Sequence, residues 1–308
     1  MKRSQTELRY ADWRRRHLSD LTGKTAVVTG ANSGLGFETT RGLLSLHARV
    51  ILACRDESKG EAARARLLAE FPEAEATVLP LDLSRRSSIE AFAARLSEIA
   101  PRVDVFVHCA GVYYPRETVT PDGLPATVGI NAVGTALLSE LTLPLLPPEG
   151  RAVFVTSLVD KKGKVKTDPL SDDEKSGYAA YARSKFLLSG YVYKKSASND
   201  HNQPLFIAAH PGITKTPLLS KDKTGPRPLW SRAGHALIYP FTQSPEKSSL
   251  PILFAAAGNA ENGALYAPRG LFRVRGFPRR IPFPKNVVRA VKLHPEHFEC
   301  VRTDARTQ

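Results

Sequence analysis

Thr25-Ala26-Val27-Val28-Thr29-Gly30-Ala31-Asn32-Ser33-Gly34-Leu35-Gly36 runs from a short apolar segment straight into three glycines and then into helical spacing. A buried strand, a sharp turn and a helix start are the economical reading. Glycines let the backbone turn tightly and approach a ligand closely. The helix that follows presents free N–H groups and its positive dipole end. That context suits a dinucleotide diphosphate, and it makes Gly30, Asn32, Ser33, Gly34, Leu35 and Gly36 candidate cofactor contacts.

Working outward, short apolar runs alternate with longer amphipathic ones. Strands are predicted at 25–29, 49–54, 77–81, 103–109, 151–156, 205–209 and 264–266. Helices are predicted at 35–47, 57–71, 87–99, 126–146, 177–198, 246–257 and 286–293. Such alternation implies right-handed crossovers and an α/β fold. The expectation is one Rossmann-type, doubly wound parallel sheet of about seven strands with helices on both faces.

The 308 residues are 42% hydrophobic and 24% charged, as in a globular protein, which excludes disordered and collagen-like chains. Cys54, Cys109 and Cys300 are far apart, which disfavours disulfides and zinc and points to a reducing compartment. No apolar run of membrane-spanning length is apparent; the best stretch, Leu137 to Leu146, is broken by Ser139, Glu140, Thr142 and Pro144. The net charge of +14 sits mostly at the ends: six Lys/Arg against three Asp/Glu in 1–20, and ten against three in 269–308. The domain expectation is therefore a basic arm over 1–20, one dinucleotide-binding and catalytic domain over 21–270, and a basic tail over 271–308. Six prolines between Pro211 and Pro245, with Trp230, Leu237, Ile238, Tyr239 and Phe241, mark 211–245 as an apolar substrate lid. Solvated ends are the plain reading of the charge, with contact to a membrane surface or nucleic acid the alternative. A cytoplasmic location is expected, with mitochondrial or peripheral membrane placement as alternatives. Oligomeric state is open, a homodimer being one form.

The end of strand two bears on the cofactor. An acidic residue there binds the adenosine ribose of NAD. This chain has Ala53-Cys54-Arg55, a planar cation suited to a 2′-phosphate, so NADP (NADPH) is favoured over NAD. Tyr181 and Lys185 stand four apart on one helical face. A phenol titrates too high for proton transfer at neutral pH, and a nearby ammonium favours its ionised form. Tyr191 and Lys195 repeat that spacing about 15 Å further along the helix, so position must decide between the pairs.

In order and spacing these motifs resemble the short-chain dehydrogenase/reductase family over roughly 22–270. Thr29 to Gly36 resembles its phosphate turn, and Asp82-Leu83 its adenine contact. His108-Cys109-Ala110-Gly111 stands where the family has Asn-Asn-Ala-Gly. Asn131, Ser157, Tyr181 and Lys185 occupy its catalytic positions; Pro211-Gly212, Ile213 and Thr216 occupy its last cofactor segment. The gap of 24 between Ser157 and Tyr181, with Asp168 to Glu174 inside it, is similar to retinol-dehydrogenase-like members. That subgroup commonly has an N-terminal membrane anchor; residues 1–20 hold no apolar run of that kind, so membrane association through one is not expected.

The resemblance implies an NADP(H)-dependent oxidoreductase interconverting a small lipophilic carbonyl, such as a retinoid or steroid, and its alcohol. It makes Tyr181 the acid/base and Ser157 the carbonyl ligand, with Thr156 the alternative hydroxyl. Lys185 holds the ribose and lowers the Tyr181 pKa, and Asn131 bends its helix and positions a relay water. Ala110, Gly111, Tyr181 and Lys185 are cofactor contacts on the same ground. His108 is expected either to substitute for the missing Asn as a donor or to weaken cofactor binding. The alternative function is a catalytically weak nucleotide-binding regulator or scaffold.

Overall fold

The computed structural model describes residues 5–116, 118–164, 176–198, 202–214 and 243–299. Among these, eight strands form one sheet: β1 Thr25–Thr29, β2 Arg49–Cys54, β3 Ala76–Pro80, β4 Val105–His108, β5 Arg151–Val155, β6 Leu205–Ala209, β7 Leu265–Pro268 and β8 Pro278–Ile281. Their order is β3-β2-β1-β4-β5-β6-β7-β8. All pairings are parallel except β7 with β8, which is antiparallel. The expected doubly wound fold is present, extended by one edge strand.

Successive strand residues point to opposite faces, and both faces are covered. Val27, Ile51, Phe106, Phe154 and Phe206 belong to one core. There they meet α4 (Arg86–Ile99), α7 (Gly177–Ser196) and α10 (Lys285–Leu293) through Phe92, Leu188 and Val287. Val28, Leu52, Val107, Val153 and Ile207 belong to the other. That core is closed by α2 (Gly34–Leu44), α3 (Glu57–Glu70) and α9 (Leu250–Ala257), through Leu43, Leu67 and Ile252. The strand order reverses between β1 and β4. Thr29 Oγ1 ties these strands together there, accepting from the Cys109 and Ala110 amides, both at 2.9 Å. In sheets of this kind the crevice at that reversal receives the ligand.

Three expectations need correction. The helix read over 126–146 is interrupted: α5 (Ala126–Val128) passes into a π-helical turn at Gly129–Gly134, then α6 (Thr135–Thr142) and a 3-10 turn at Leu143–Leu145. The same run, Ala126–Leu145, is long and apolar enough to cross a membrane, but 67% of its apolar window is buried in the fold, as in a core helix.

The arm over 1–20 contains helix α1 (Gln5–His17). Its Trp13 ring lies 5.5 Å from Phe277 and 6.0 Å from Phe254, and Leu18 enters the core. The tail from 271 contributes β8, α10 and Phe298, whose ring lies 5.6 Å from Phe186. Between α9 and these elements lie β7 and a 3-10 turn at Leu271–Arg273; α8 (Pro245–Ser248) precedes α9. At both ends the charge excess hides apolar residues spaced to pack. The insertion around Asp168 to Glu174, Thr216 and lid residues 215–242 lie outside the described residues.

Candidate active site

The phosphate turn is built from conformations that side chains resist. Gly30 has φ +67° and Gly34 has φ +57°. A Cβ on Gly30 would sit 3.1 Å from the Ala110 α-carbon, and one on Gly36 would collide with the Gly30 carbonyl. Ser33 stands at the α2 N-cap in extended conformation, but its side chain makes no capping bond. The first amides of α2 are thus not satisfied by the cap side chain, which leaves an anion-binding end facing the β1–β4 crevice. Asn32 and Ala31 lie with their backbone against the Cys54 thiol, whose pKa burial pushes up to about 11. Leu35 packs beside the core.

Arg55 follows β2 and is exposed. Beyond β3, Asp82 holds a tight turn by accepting from the Ser84 amide at 2.9 Å and hydroxyl at 2.7 Å. Leu83 is buried, and its carbonyl packs on Gly134 at the end of the π turn.

That π turn places Asn131, which is fully buried. Its Oδ1 accepts from the Val112 amide at 2.7 Å. Its Nδ2 donates to the Val112 carbonyl at 2.9 Å and to Ser184 Oγ at 3.1 Å. The side chain therefore clamps the segment after β4, which includes Ala110 and Gly111, to α7. A Cβ built on Gly111 would lie 3.4 Å from Asn131 Oδ1 and 3.6 Å from Lys185 Nζ, so backbone, amide and ammonium meet at one place.

Ser157 follows β5 and caps the 3-10 turn Leu158–Lys162. Its hydroxyl faces the Tyr181 side chain and lowers that phenol's pKa. Thr156, the alternative hydroxyl, is buried with its Oγ1 lacking a protein partner. Lys185 is buried and donates from Nζ to the Val155 carbonyl at 2.8 Å. Burial lowers its pKa to about 8, with the Cys109 and Asp160 groups pulling the other way.

Tyr181 departs from expectation. Burial pushes its hydroxyl up to about 12; the Ser157 hydroxyl lowers it and Asp160 raises it. Lys185 does not figure among these influences. Its Nζ points at the Val155 carbonyl and lies 5.9 Å from the Tyr181 ring centroid.

His108 does not replace the missing Asn as a donor through Nδ1, which is buried without a partner. Its ring is sandwiched between Phe106 and Phe154, each 4.4 Å away, and burial pushes its pKa down to about 3. It is a neutral core residue. Pro211 accepts from Gln243 Nε2 at 3.0 Å, Gly212 has φ +80°, and the Ile213 amide donates to Val274 at 3.2 Å. This last cofactor segment is thereby braced by the loop before β8.

Two residues join the site that the motif reading passed over. Tyr113 sets its ring edge-on to Tyr181, 5.9 Å between centroids. Asp160, three residues beyond Ser157, is 1% exposed and accepts from Ser189 Oγ at 2.8 Å, while its Oδ1 has no partner. Burial raises its pKa to about 6. Only its carboxyl group near a serine at a strand end signalled it.

The short chain dehydrogenase family profile matches residues 24–226. Retinol dehydrogenase 14 from Mus musculus is 34% identical over 209 residues, 64% of this chain and 63% of that protein. Dehydrogenase/reductase SDR family member 13 from Bos taurus is 35% identical over 216 residues, 68% of this chain and 56% of that protein. The chain thus spans less than two thirds of the curated relatives' length. An uncharacterized protein from Mycobacterium Paratuberculosis superposes with a TM-score of 0.72 at 26% identity, covering 91% of this chain and 94% of that one. The family match alone runs from β1 past β6, across every element that carries the site, and this chain belongs to the short-chain dehydrogenase family.

Proposed function

We propose that the protein is an oxidoreductase interconverting a lipophilic carbonyl and its alcohol, with NADP(H) as the favoured cofactor. One observation carries the reading: Tyr181 and Lys185 of α7 stand with Ser157 at the C-terminal edge of the sheet, where Asn131 clamps the segment after β4 to α7. The Gly30–Gly36 cradle, which any Cβ would fill, suits a dinucleotide diphosphate held by α2 amides. Arg55, without a carboxylate at Cys54, suits a 2′-phosphate. Several relatives are retinol dehydrogenases, which supports a lipophilic substrate.

A bound nicotinamide supplies or accepts the hydride. Ser157 holds the substrate oxygen, and Tyr181 moves a proton at that oxygen. In reduction the Tyr181 hydroxyl would give its proton to the substrate oxygen, and in oxidation it would take that proton back. A phenol near 12 is a reluctant proton donor and acceptor, so the Lys185 ammonium must act on it in the loaded site. Lys185, buried and already sharing its proton with Val155, is placed to bond ribose hydroxyls. Asn131 fixes the wall opposite.

The test is NADPH and NADH consumption against retinal, steroid, quinone and aliphatic aldehydes, with Tyr181→Phe beside the parent. Turnover by the parent with one class, lost on the order of 10³-fold in Tyr181→Phe while NADPH still binds, is expected. Undiminished turnover in that variant refutes the role of Tyr181. NADPH binding without turnover of any carbonyl favours a regulator.

A further inference from the structure

Residues 263–295 contain eight Lys/Arg and no Asp or Glu. Leu271 at the tip of the β7–β8 connection is 78% exposed, the most exposed large hydrophobic among the described residues. The connection is built rather than loose: the Arg269 amide donates to Phe277 and the Gly270 amide to Arg275, at 2.9 and 3.0 Å. Phe277 anchors it against α1, with Tyr10 at 5.0 Å and Trp13 at 5.5 Å, and the Arg269 guanidinium stacks over the same ring. Arg9 and Arg275 both bear on the Tyr10 hydroxyl: burial raises its pKa, those two cations lower it, and Glu246 raises it. Lys247 lies over the Tyr10 ring. The exposed Leu271 thus sits in a turn that also carries Arg269 and Arg275, and Phe277 of that connection packs on α1 at Tyr10, on which Arg9 and the acid Glu246 bear.

We propose that this β7–β8 tip, together with the exposed face of α1, docks the protein on an anionic lipid surface. Charge complementarity selects the occupant, and Leu271 supplies the apolar insertion that a purely electrostatic contact lacks. Single-stranded nucleic acid fits less well, because it stacks on exposed aromatic rings. Here Phe277 is engaged with α1 and Phe283 is buried. The Val274 carbonyl in the same connection accepts from Ile213, so the docked surface adjoins the segment after β6. The proposal does not depend on turnover.

The experiment is co-sedimentation of the full chain with phosphatidylcholine vesicles, with and without phosphatidylserine, at low and high salt. Binding to the phosphatidylserine vesicles, lost at high salt, is expected. Leu271→Asp should weaken it on the order of tenfold. Arg9→Gln with Arg275→Gln should weaken it roughly thirtyfold, about fivefold for each cation removed. Thermal midpoints should match the parent, since these side chains are exposed. Equal binding to neutral vesicles, indifference to both variants, or displacement from the vesicles by single-stranded RNA would each overturn the proposal.

Discussion

Helix α7 carries the same side-chain pair twice, and the two ends of the helix use it differently. At the N-terminal end, the Tyr181 hydroxyl meets Ser157 and Lys185 meets a backbone carbonyl at the edge of the sheet. Ten residues on, Tyr191 donates to Glu140 Oε1 at 2.8 Å and Lys195 to Glu140 Oε2 at 3.0 Å. Glu140 thus bonds both polar groups of the second pair, beneath rings of Phe154 and Phe206. The Tyr-x-x-x-Lys spacing aligns two groups on one face and nothing more. Where the strands of a parallel sheet end, the pair borders a crevice; along the strands, it is packing. The lysines give the largest contrast. Lys185→Met should lower kcat/KM on the order of 10²–10³-fold, as losing a buried electrostatic group at a reacting centre does. Lys195→Met should leave kcat/KM unchanged and lower stability by about 1 kcal/mol, the scale of one partly buried ion pair. Equal losses of kcat/KM would erase the distinction between the ends.

The next effect sharpens what surrounds the first pair. Asp160 is packed under that end of α7, facing Tyr181, Lys185 and Ser189 from the helix and Lys161 from its own turn. Asn286 of α10 fixes that turn from behind by donating to the Asp160 carbonyl at 3.1 Å. With its pKa raised to about 6, Asp160 binds a proton more readily folded than unfolded. Its contribution to stability is therefore full below about pH 4, near the unfolded value. It is lost as pH rises through about 6. The parent should lose up to about 3 kcal/mol relative to Asp160→Asn between those limits. Urea unfolding of both proteins across that range measures it. Parallel pH curves would mean that the carboxyl is not held protonated by its surroundings.

How far the chain could be read without coordinates follows the same physics. Strands β2 and β6 lie where expected because both faces are buried and the runs are almost wholly apolar. Helix α1 and β8 interleave their packing residues with arginines and lysines, so charge hides Trp13 and Ile281, whereas the helix expected at 286–293 is present as α10. The π turn around Asn131 leaves no periodic trace, since Gly129–Gly134 are all buried and present no polar face to mark the change of phase. Tyr181 and Lys185 stand out by their helical spacing, while Asn131 and Ser157 are singled out only through the family resemblance. Neither route finds Asp160 and Tyr113, because what matters about them is which distant side chain they touch. The sandwiching of His108 between Phe106 and Phe154 depends on β4–β5 register and was equally hidden.

The smallest expected effect is at Tyr191. Replacing it with Phe removes the hydrogen bond to Glu140 and keeps the ring packed against Phe154 and Phe206. Glu140 retains Lys195 as a partner, so no buried acceptor is orphaned and the loss stays near the ordinary net value of about 1 kcal/mol. Thermal unfolding should register a fall of roughly 2–4 °C. Turnover should match the parent, because the hydroxyl lies about 15 Å along the helix from Tyr181. A Tyr191→Phe protein that loses turnover as Tyr181→Phe does would show that the two ends of α7 are coupled through the helix. Placing the chemistry by contact at the sheet edge would then be wrong.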